Sequence, residues 1–316
     1  MYHKYIFDLE IAYLPYHQIN KTKWDACINK SINKLIYAES YYLDSITDNW
    51  DAIILNDYEA VMPLIWKKKF GIKYLYQPAF FQQGGIFFFK QLNNEILQAF
   101  ITTASQHFKF GEFTLNFLNI TLSPDGFFTL KKRNNFIFQL GDSYENISKV
   151  YSPYIKQRLK RAEKFQLQYS KSKDHKKAIN IYKKLYKERL SDFKKKDYDK
   201  FEVICHYYFN LNRLFVREVW SADGNTMLAC VVLLKDENRL YNIASSIFPE
   251  GKKMLANYFL YDNIIKEFSK ENILLDFEGS DVPGIAYFYK NWASANQAYP
   301  FIKWNLLPAP IKLIKR

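Results

Sequence analysis

Two stretches of this chain run through the same succession of elements, and a repeat of that length restricts the fold more than composition does. Residues 20–42 read as a helix with Trp24, Ile28, Ile32 and Leu35 on one face. WDAIIL (50–55), EAVMPLIW (59–66) and IKYLY (72–76) follow as short strands. The first two are joined through Asn56-Asp57-Tyr58 as a hairpin, and Pro63 predicts an edge or a bulge in the second. A loop, QPAFFQQGG (77–85), leads to a helix over 93–108 and to strands FTLNFL (113–118) and NFIFQL (135–140). The second half repeats this order. Helices over 174–190 and 198–211 precede RLFVREVW (213–220), MLACVVLL (227–234) and RLYNIASS (239–246), whose polar connections suit hairpins. A helix over 252–269 carries Met254, Tyr258, Tyr261, Ile265 and Phe268 on one stripe. Strand, short helix and strand close the chain over 272–305. These patterns predict an α/β chain of mixed sheets in two tandem modules, 1–141 and 142–316, the second complete.

A length of 316 residues, with 48% hydrophobic and 18% aromatic residues, suits two separate cores. No run approaches the roughly 18 apolar residues of a membrane span. The opening MYHKYIFDLEIAYLPYHQ carries Asp8 and Glu10 early and does not read as a signal peptide. Cys27, Cys205 and Cys230 are odd in number and far apart, which predicts reduced thiols in a cytoplasmic protein. The formal net charge of +13 points to an anionic partner: nucleic acid, a phosphorylated cofactor, an acidic wall precursor or a membrane surface. A solvated lysine-rich surface explains that charge equally well. The same choice holds for the basic run Lys156, Arg158, Lys160, Arg161 and Lys164, which Tyr151, Tyr154 and Phe165 interleave. The five histidines show no paired metal-ligand spacing, and no nucleophile elbow, P-loop or dinucleotide fingerprint is present.

The chemistry-bearing stretch is NILLDFEGSDVPGIAYFYKNW (272–292). Ile273, Leu275 and Phe277 take one face of a strand; Leu274, Asp276 and Glu278 take the other. Asp276 and Glu278 then stand roughly 7 Å apart, as a base and a substrate-orienting carboxylate or as caps of the next helix. Gly279 ends the strand. Ser280 or Asp281 is expected to cap a helix with Pro283 in its first turn and Ile285, Phe288 and Trp292 on its core face. Tyr287 or Tyr289 can donate a proton to a leaving group, or simply pack. Lys290 can hold a phosphate or carboxylate, or stay solvated.

Three stretches carry a family resemblance. LLDFEGS followed by GIAYFYKNWAS places Asp276, Gly279, Phe288, Lys290 and Trp292; PLIWKKKFGIKYLYQPAFFQQGG forms a strand pair and loop; YSPYIKQRLKRAEKFQLQ (151–168) is a basic helix. With the order of elements, they resemble the GNAT acyltransferases, in the tandem form of the Fem-type aminoacyltransferases and their bacterial GNAT-like relatives. The resemblance spans nearly the whole chain. It implies acyl or aminoacyl transfer from a thioester or ester donor to a small-molecule or peptide amine, in a cleft between the modules. It places Asp276, Glu278 and Tyr287 at the chemistry, and Gln82, Gln83 and Lys290 on the substrate. Coenzyme-A-using members carry a glycine-rich loop that cradles pyrophosphate on a helix N-terminus. The equivalent SSIFPEGKKMLANYF (245–259) has one glycine, leaving Ser245, Ser246, Gly251, Lys252 and Lys253 for that task. The donor is then acyl-coenzyme A or an aminoacyl-tRNA, without a metal. The alternative is a catalytically silent module that holds an anionic partner such as tRNA or a wall precursor.

Overall fold

The computed structural model describes residues 9–124, 126–279, 281–309 and 312. In chain order its first half holds β1 (Ile11–Leu14), α1 (Lys21–Lys30), α2 (Ser40–Ile46), β2 (Trp50–Leu55), β3 (Ala60–Lys69), β4 (Ile72–Leu75), β5 (Phe87–Phe88), α3 (Asn94–His107), β6 (Phe110–Thr114), β7 (Phe128–Arg133) and β8 (Phe136–Gln139). The second half holds α4 (Tyr144–Lys149), α5 (Pro153–Glu163), β9 (Gln168–Ser172), α6 (His175–Leu185), α7 (Lys195–Asn210), β10 (Leu214–Trp220), β11 (Met227–Lys235) and β12 (Arg239–Ile247). It ends with α8 (Pro249–Lys253), α9 (Ala256–Phe268), β13 (Leu274–Asp276), α10 (Pro283–Trp292), β14 (Ala295–Asn296) and β15 (Tyr299–Asn305).

The strands form two mixed sheets. One runs β1-β2-β3-β4-β6-β15-β7, with β5 also on β3; the other, read from its far edge, runs β9-β10-β11-β12-β13-β8-β14. The two orders match position for position. Each has an antiparallel meander, a helical crossover to a parallel neighbour, then a strand from a distant part of the chain. The expected α/β class with mixed sheets and a tandem repeat is therefore observed.

The chain folds into two compact units: residues up to Arg133 together with those from Ala298 (unit 1), and Asn134–Gln297 (unit 2). A boundary at 141/142 would place β8 with the first half and β15 with the second. Each instead lies in the other sheet. An apolar alternation such as Phe136, Phe138 or Ile302, Trp304 says that a strand has a face to bury, and not which sheet buries it. In β15 the decision is made by Trp304. Its indole N–H donates to the Phe108 carbonyl at 2.8 Å, and its ring lies where a Cβ on Gly111 would come within 2.6 Å.

Two local expectations change. The helix over 20–42 stops at Lys30. Ser31 takes an extended backbone, and buried Asn33 gives its amide to the Ile86 carbonyl while accepting the Phe88 N–H. Those bonds draw the chain out of the helix, and Ile32 ends 54% exposed. Pro63 sits at neither an edge nor a bulge: β2 pairs it in unbroken register with Ala52. On the other side, β5 covers Ala60–Val61 and β4 covers Trp66–Lys69. Position 63 falls between those partners, where a residue without an N–H is tolerated.

Each unit has its own core. In unit 1, Leu97, Phe100, Ile101 and Ala104 of α3 pack on Ile53, Met62 and Ile302. In unit 2, Tyr261, Ile264, Ile265 and Phe268 of α9 pack on Val231, Leu233 and Leu275. The three cysteines are buried and unbridged. Among the described residues no helix is long and apolar enough to cross a membrane.

One ion cluster ties α9 to its sheet. Glu267 accepts a bidentate pair from Arg217 at 2.7 and 2.6 Å, the Lys171 ammonium at 2.7 Å and the Tyr169 hydroxyl at 2.7 Å. Burial raises the Glu267 carboxyl, but these donors outweigh it and bring its pKa from 4.5 down to about 2. A depressed carboxylate contributes stability above its unfolded pKa and loses it as pH falls through the folded one. Stability should therefore decline by roughly 3 kcal/mol between about pH 4.5 and 2 through this group. Glu267→Gln should flatten that part of the profile in urea titrations; an unchanged profile would assign the acid sensitivity elsewhere.

Candidate functional site

β12 and β13 pair in parallel over three positions only: Arg239 with Leu274, Leu240 with Leu275 and Tyr241 with Asp276. β12 then runs on to Ile247, while the chain leaves β13 at Phe277. The wedge that opens within unit 2 holds a cavity of about 590 Å³. A bulge shapes its wall. Val232 pairs with Ala244 and Leu233 with Asn242, so Ile243 has no partner on β11. Asn242 and Ile243 consequently both face the cavity, and Ser245 and Ile247 follow by alternation.

The opposite wall comes from the turn after β13 and from α10, through Phe277, Glu278, Ile285, Phe288 and Tyr289. Asp276 positions that turn from below. It is fully buried and does not line the cavity. Its Oδ2 accepts Arg239 Nη1 at 2.7 Å and Asn135 Nδ2 at 3.2 Å; its Oδ1 accepts the Glu278 N–H at 2.9 Å. Glu278 and Gly279 adopt φ of 63° and 57°, so two consecutive left-handed residues make the corner. A glutamate held there costs backbone energy of order 1 kcal/mol, and the bond to Asp276 helps to hold it. The helix that follows starts at Pro283 with Val282 as its N-cap residue and no side-chain capping bond, so Asp281 does not cap it; Ser280 lies outside the described residues.

Tyrosines dominate the floor and back. Tyr182 and Tyr186 reach it from α6 and the residue after it, Tyr261 from α9, Tyr289 from α10. Tyr186 accepts the Ile247 N–H at 3.3 Å, and Tyr289 accepts Asn242 Nδ2 at 3.1 Å. Among the described residues, the Tyr261 hydroxyl and the Asn242 side-chain carbonyl are buried with no partner in good hydrogen-bond geometry, although Ser245, Tyr289 and Asn242 lie close to the Tyr261 hydroxyl. Burial pushes the Tyr261 phenol up to about 12 and the Tyr289 phenol well above its ordinary value, so both stay protonated near neutrality. Among the described lining residues the charged groups are Glu278, Arg189 and Lys252. Arg189 lies over the Tyr186 ring at 4.2 Å. The N-terminus of α9, beside Lys252 and lining residue Asn257, has no side-chain cap, because Leu255 precedes it in the left-handed region at φ 59°.

Of the residues expected at a site, Glu278, Ser245 and Lys252 meet here. Ser246 points to the other face of β12, opposite Cys230. Gly251 is buried, and a Cβ there would come 2.1 Å from the Leu228 carbonyl oxygen, so close packing of α8 on β11 explains the glycine. Lys253 pairs with Glu250 at 3.1 Å on the surface. Tyr287 is 56% exposed, its ring 5.8 Å from that of Tyr154. Lys290 instead lines two other cavities, of about 420 and 480 Å³, with Ala293.

Gln82 and Gln83 lie in unit 1, at the counterpart of the wedge. There β4 and β6 pair in parallel at Leu75 and Gly111 alone. The loop after β4 fills the gap, leaving a void of about 10 Å³. Gln77 accepts the Thr114 N–H and hydroxyl at 2.9 and 3.0 Å, and Gly84 donates its N–H to the Thr114 carbonyl at 3.2 Å. Gln83 is wholly buried, accepting the Phe117 N–H at 3.1 Å and donating to Gln82 at 2.9 Å. Sequence reasoning misses Tyr182, Tyr186, Tyr261 and Asn242. The tyrosines fall on the inward stripes of their helices, where packing accounts for them equally well. Asn242 depends on the bulge, for which the strand pattern carries no signal. Among the described residues no group of three or more His, Cys, Asp or Glu side chains is placed to hold a metal.

No protein-family model and no curated protein matches the chain. Solved structures do. FemX is 13% identical, with a TM-score of 0.64 over 97% of this chain and 99% of that one. L-PGS from Bacillus licheniformis is 12% identical, with a TM-score of 0.53 over 93% and 94%. A tandem GNAT protein from the clavulanic acid biosynthesis pathway is 8% identical, with a TM-score of 0.50 over 95% and 100%. The chain thus shares its fold with FemX and with a tandem GNAT protein.

Breaking the buried Arg239–Asp276 pair should be expensive. Asp276→Ala leaves a buried guanidinium uncompensated and is expected to cost about 3–5 kcal/mol in urea unfolding. Glu278→Gln, in the partly exposed corner, should stay within about 0.5 kcal/mol of wild type. Equal costs would show that the ion pair does not hold the vertex of the wedge.

Proposed function

We propose that the chain is a cytoplasmic N-acyltransferase whose reaction takes place in the wedge of unit 2. The observation that carries this is the contrast between the two wedges: one filled by its own loop, the other open and furnished with a carboxylate and protonated phenols. The donor is an acyl thioester or an aminoacyl ester, and the acceptor is an amine on a small molecule or a peptide. Ile243, Ile247, Phe277, Ile285 and Phe288 offer an apolar channel for the acyl-bearing arm. Lys252, Arg189 and the uncapped start of α9 suit donor phosphates at the rim. No glycine-rich cradle is available, since Gly251 is committed to packing, so phosphate binding falls on side chains and one helix end. Both acyl-coenzyme A and an aminoacyl-tRNA meet that description.

In this reading the Glu278 carboxylate takes the proton of the attacking amine. The amine nitrogen forms a bond to the acyl carbon, and charge gathers on the carbonyl oxygen. The bulge at Ile243 leaves backbone outside the β11 ladder, where an N–H can meet that oxygen. The carbon–sulfur or carbon–oxygen bond to the leaving group then breaks, and Tyr289 donates its phenolic proton to the departing atom. The Asn242 Nδ2 bond orients that hydroxyl. Asp276 positions Glu278 and does not reach the reactants. Tyr287, on the exposed face of α10, takes no part.

Calorimetric titration with acetyl- and longer acyl-coenzyme A, and filter binding of charged tRNA, should identify one donor class. With that donor and an amine acceptor, Glu278→Gln and Tyr289→Phe should each lower kcat about 10²–10⁴-fold while changing donor affinity little. If neither donor binds, or if both variants keep wild-type turnover, the assignment is wrong.

A further inference from the structure

The β3–β4 hairpin of unit 1 carries a bulky apolar residue into solvent at its tip. Phe70 is 89% exposed. The register pairs Lys67 with Tyr74, Lys68 with Lys73 and Lys69 with Ile72, which leaves Phe70-Gly71 as a two-residue turn. Both turn residues are left-handed, at φ 50° and 80°. That geometry favours asparagine or glycine at the first position, so phenylalanine there adds backbone strain as well as exposure. Directly opposed like charges, as at Lys68 and Lys73, also weaken a strand pair. Residues 60–81 contain no Asp or Glu, and Lys68, Lys69 and Lys73 have no carboxylate partner among the described residues. Lys69 lies 5.4 Å from the centroid of the Phe70 ring at the tip, and behind the tip Lys73 is 4.1 Å from the Trp66 centroid and Lys67 3.8 Å from that of Tyr76. The exposed left-handed phenylalanine and the opposed lysines work against the stability of the hairpin itself, and together they describe a contact surface.

We infer that this hairpin docks the protein on an anionic lipid surface. Phe70 enters the interfacial layer, and Lys67, Lys68, Lys69 and Lys73 meet the headgroup phosphates. The order of depth decides for lipid over nucleic acid. An exposed phenylalanine stands at the apex with lysines on both strands behind it, which pairs an apolar group that can enter the interface with cations that can meet anionic headgroups. A polynucleotide would place its phosphates foremost and leave the apex in water. One apolar residue gives only marginal anchoring, and a basic cluster beside it is the second contribution that makes attachment measurable. The inference does not rest on acyl transfer, and the hairpin belongs to the unit whose wedge is filled.

The test is co-sedimentation of the full chain with vesicles of phosphatidylcholine alone and with about one-third phosphatidylglycerol. Binding is expected only to the anionic vesicles and should weaken steeply with added salt. Phe70→Asn suits the turn better than the native residue, so the variant should melt at or above the wild-type temperature while its partition coefficient falls about tenfold. Lys68→Gln with Lys69→Gln should lower it by at least about tenfold. Lys160→Gln with Lys164→Gln on α5, the same change in charge elsewhere, should lower it less than about threefold. The inference is overturned if anionic vesicles fail to pellet the protein at low salt. It is also overturned if Phe70→Asn binds like wild type, or if the α5 pair loses as much as the hairpin pair. Loss of tRNA binding in the hairpin lysine variant, with vesicle binding intact, would assign the surface to RNA instead.

Discussion

The open site of unit 2 depends on one buried ion pair. Arg239, at the first shared position of β12, reaches Asp276, at the last shared position of β13, and beyond Asp276 the strands part. A buried pair of this kind recovers its desolvation cost only if every remaining donor and acceptor is met. Here they are met closely. Asn135 shares the Asp276 oxygen with Arg239, Gln297 takes the other arm of the guanidinium at 2.6 Å, and Asp236 accepts the Arg239 N–H at 2.7 Å and the Tyr241 hydroxyl at 2.7 Å. The free oxygen of Asp276 then holds the Glu278 N–H in a left-handed corner. One carboxylate therefore sets both where the strands separate and where the next carboxylate points. Had β12 and β13 paired to their ends, Asn242, Ser245 and Ile247 would have faced a closed ladder.

The same vertex occurs twice, with opposite outcomes. In unit 1, strand separation after Leu75 is met by a loop whose backbone is tied to Gln77, Thr114, Asn116 and Asn119. Gly85 makes this possible. Its φ is 81°, and a Cβ there would fall 2.3 Å from the Asn119 side-chain oxygen. The loop is thus tailored to fill its wedge. In unit 2 the corresponding space is bounded by α6 and α9, which precede β13, and by α10, which follows it, and it stays open. Two copies of one topology differ in what enters the gap, which is why sites are argued from side chains and not from folds.

Much of the architecture was legible in the residues. Apolar runs such as WDAIIL and MLACVVLL marked central strands, and polar connections marked the hairpins. The stripe Tyr258, Tyr261, Ile265, Phe268 marked the crossover helix. The partners of β8 and β15 were not legible, because alternation specifies a buried face and leaves the neighbour unspecified. At the site, Glu278 came from strand alternation, whereas Ser245 and Lys252 came only from the family resemblance of 245–259. Asp276 looked equivalent to Glu278 by the same phase. The difference between them comes from Arg239, some 37 residues earlier in sequence, and from burial, which no local pattern reports. Tyr287 and Tyr289 are two residues, about 200°, apart on α10, so Tyr289 shares the phase of Ile285 and lines the cavity while Tyr287 is exposed. Gly251 shows that a glycine in a stretch expected to bind phosphate can be required instead by the strand beneath it.

The exchanged strands bear on how the molecule is made. In unit 1, β15 (Tyr299–Asn305) fills the slot between β6 and β7, and it follows every residue of unit 2 in the chain. Until it arrives, two strands of the first sheet present bare amide and carbonyl edges to the solvent. The N-terminal unit therefore cannot finish ahead of the C-terminal one, as modules synthesised in series usually do. Its completion waits for a pairing that spans nearly two hundred residues, which favours slow, late closure and makes the nascent chain prone to capture by another copy's β15.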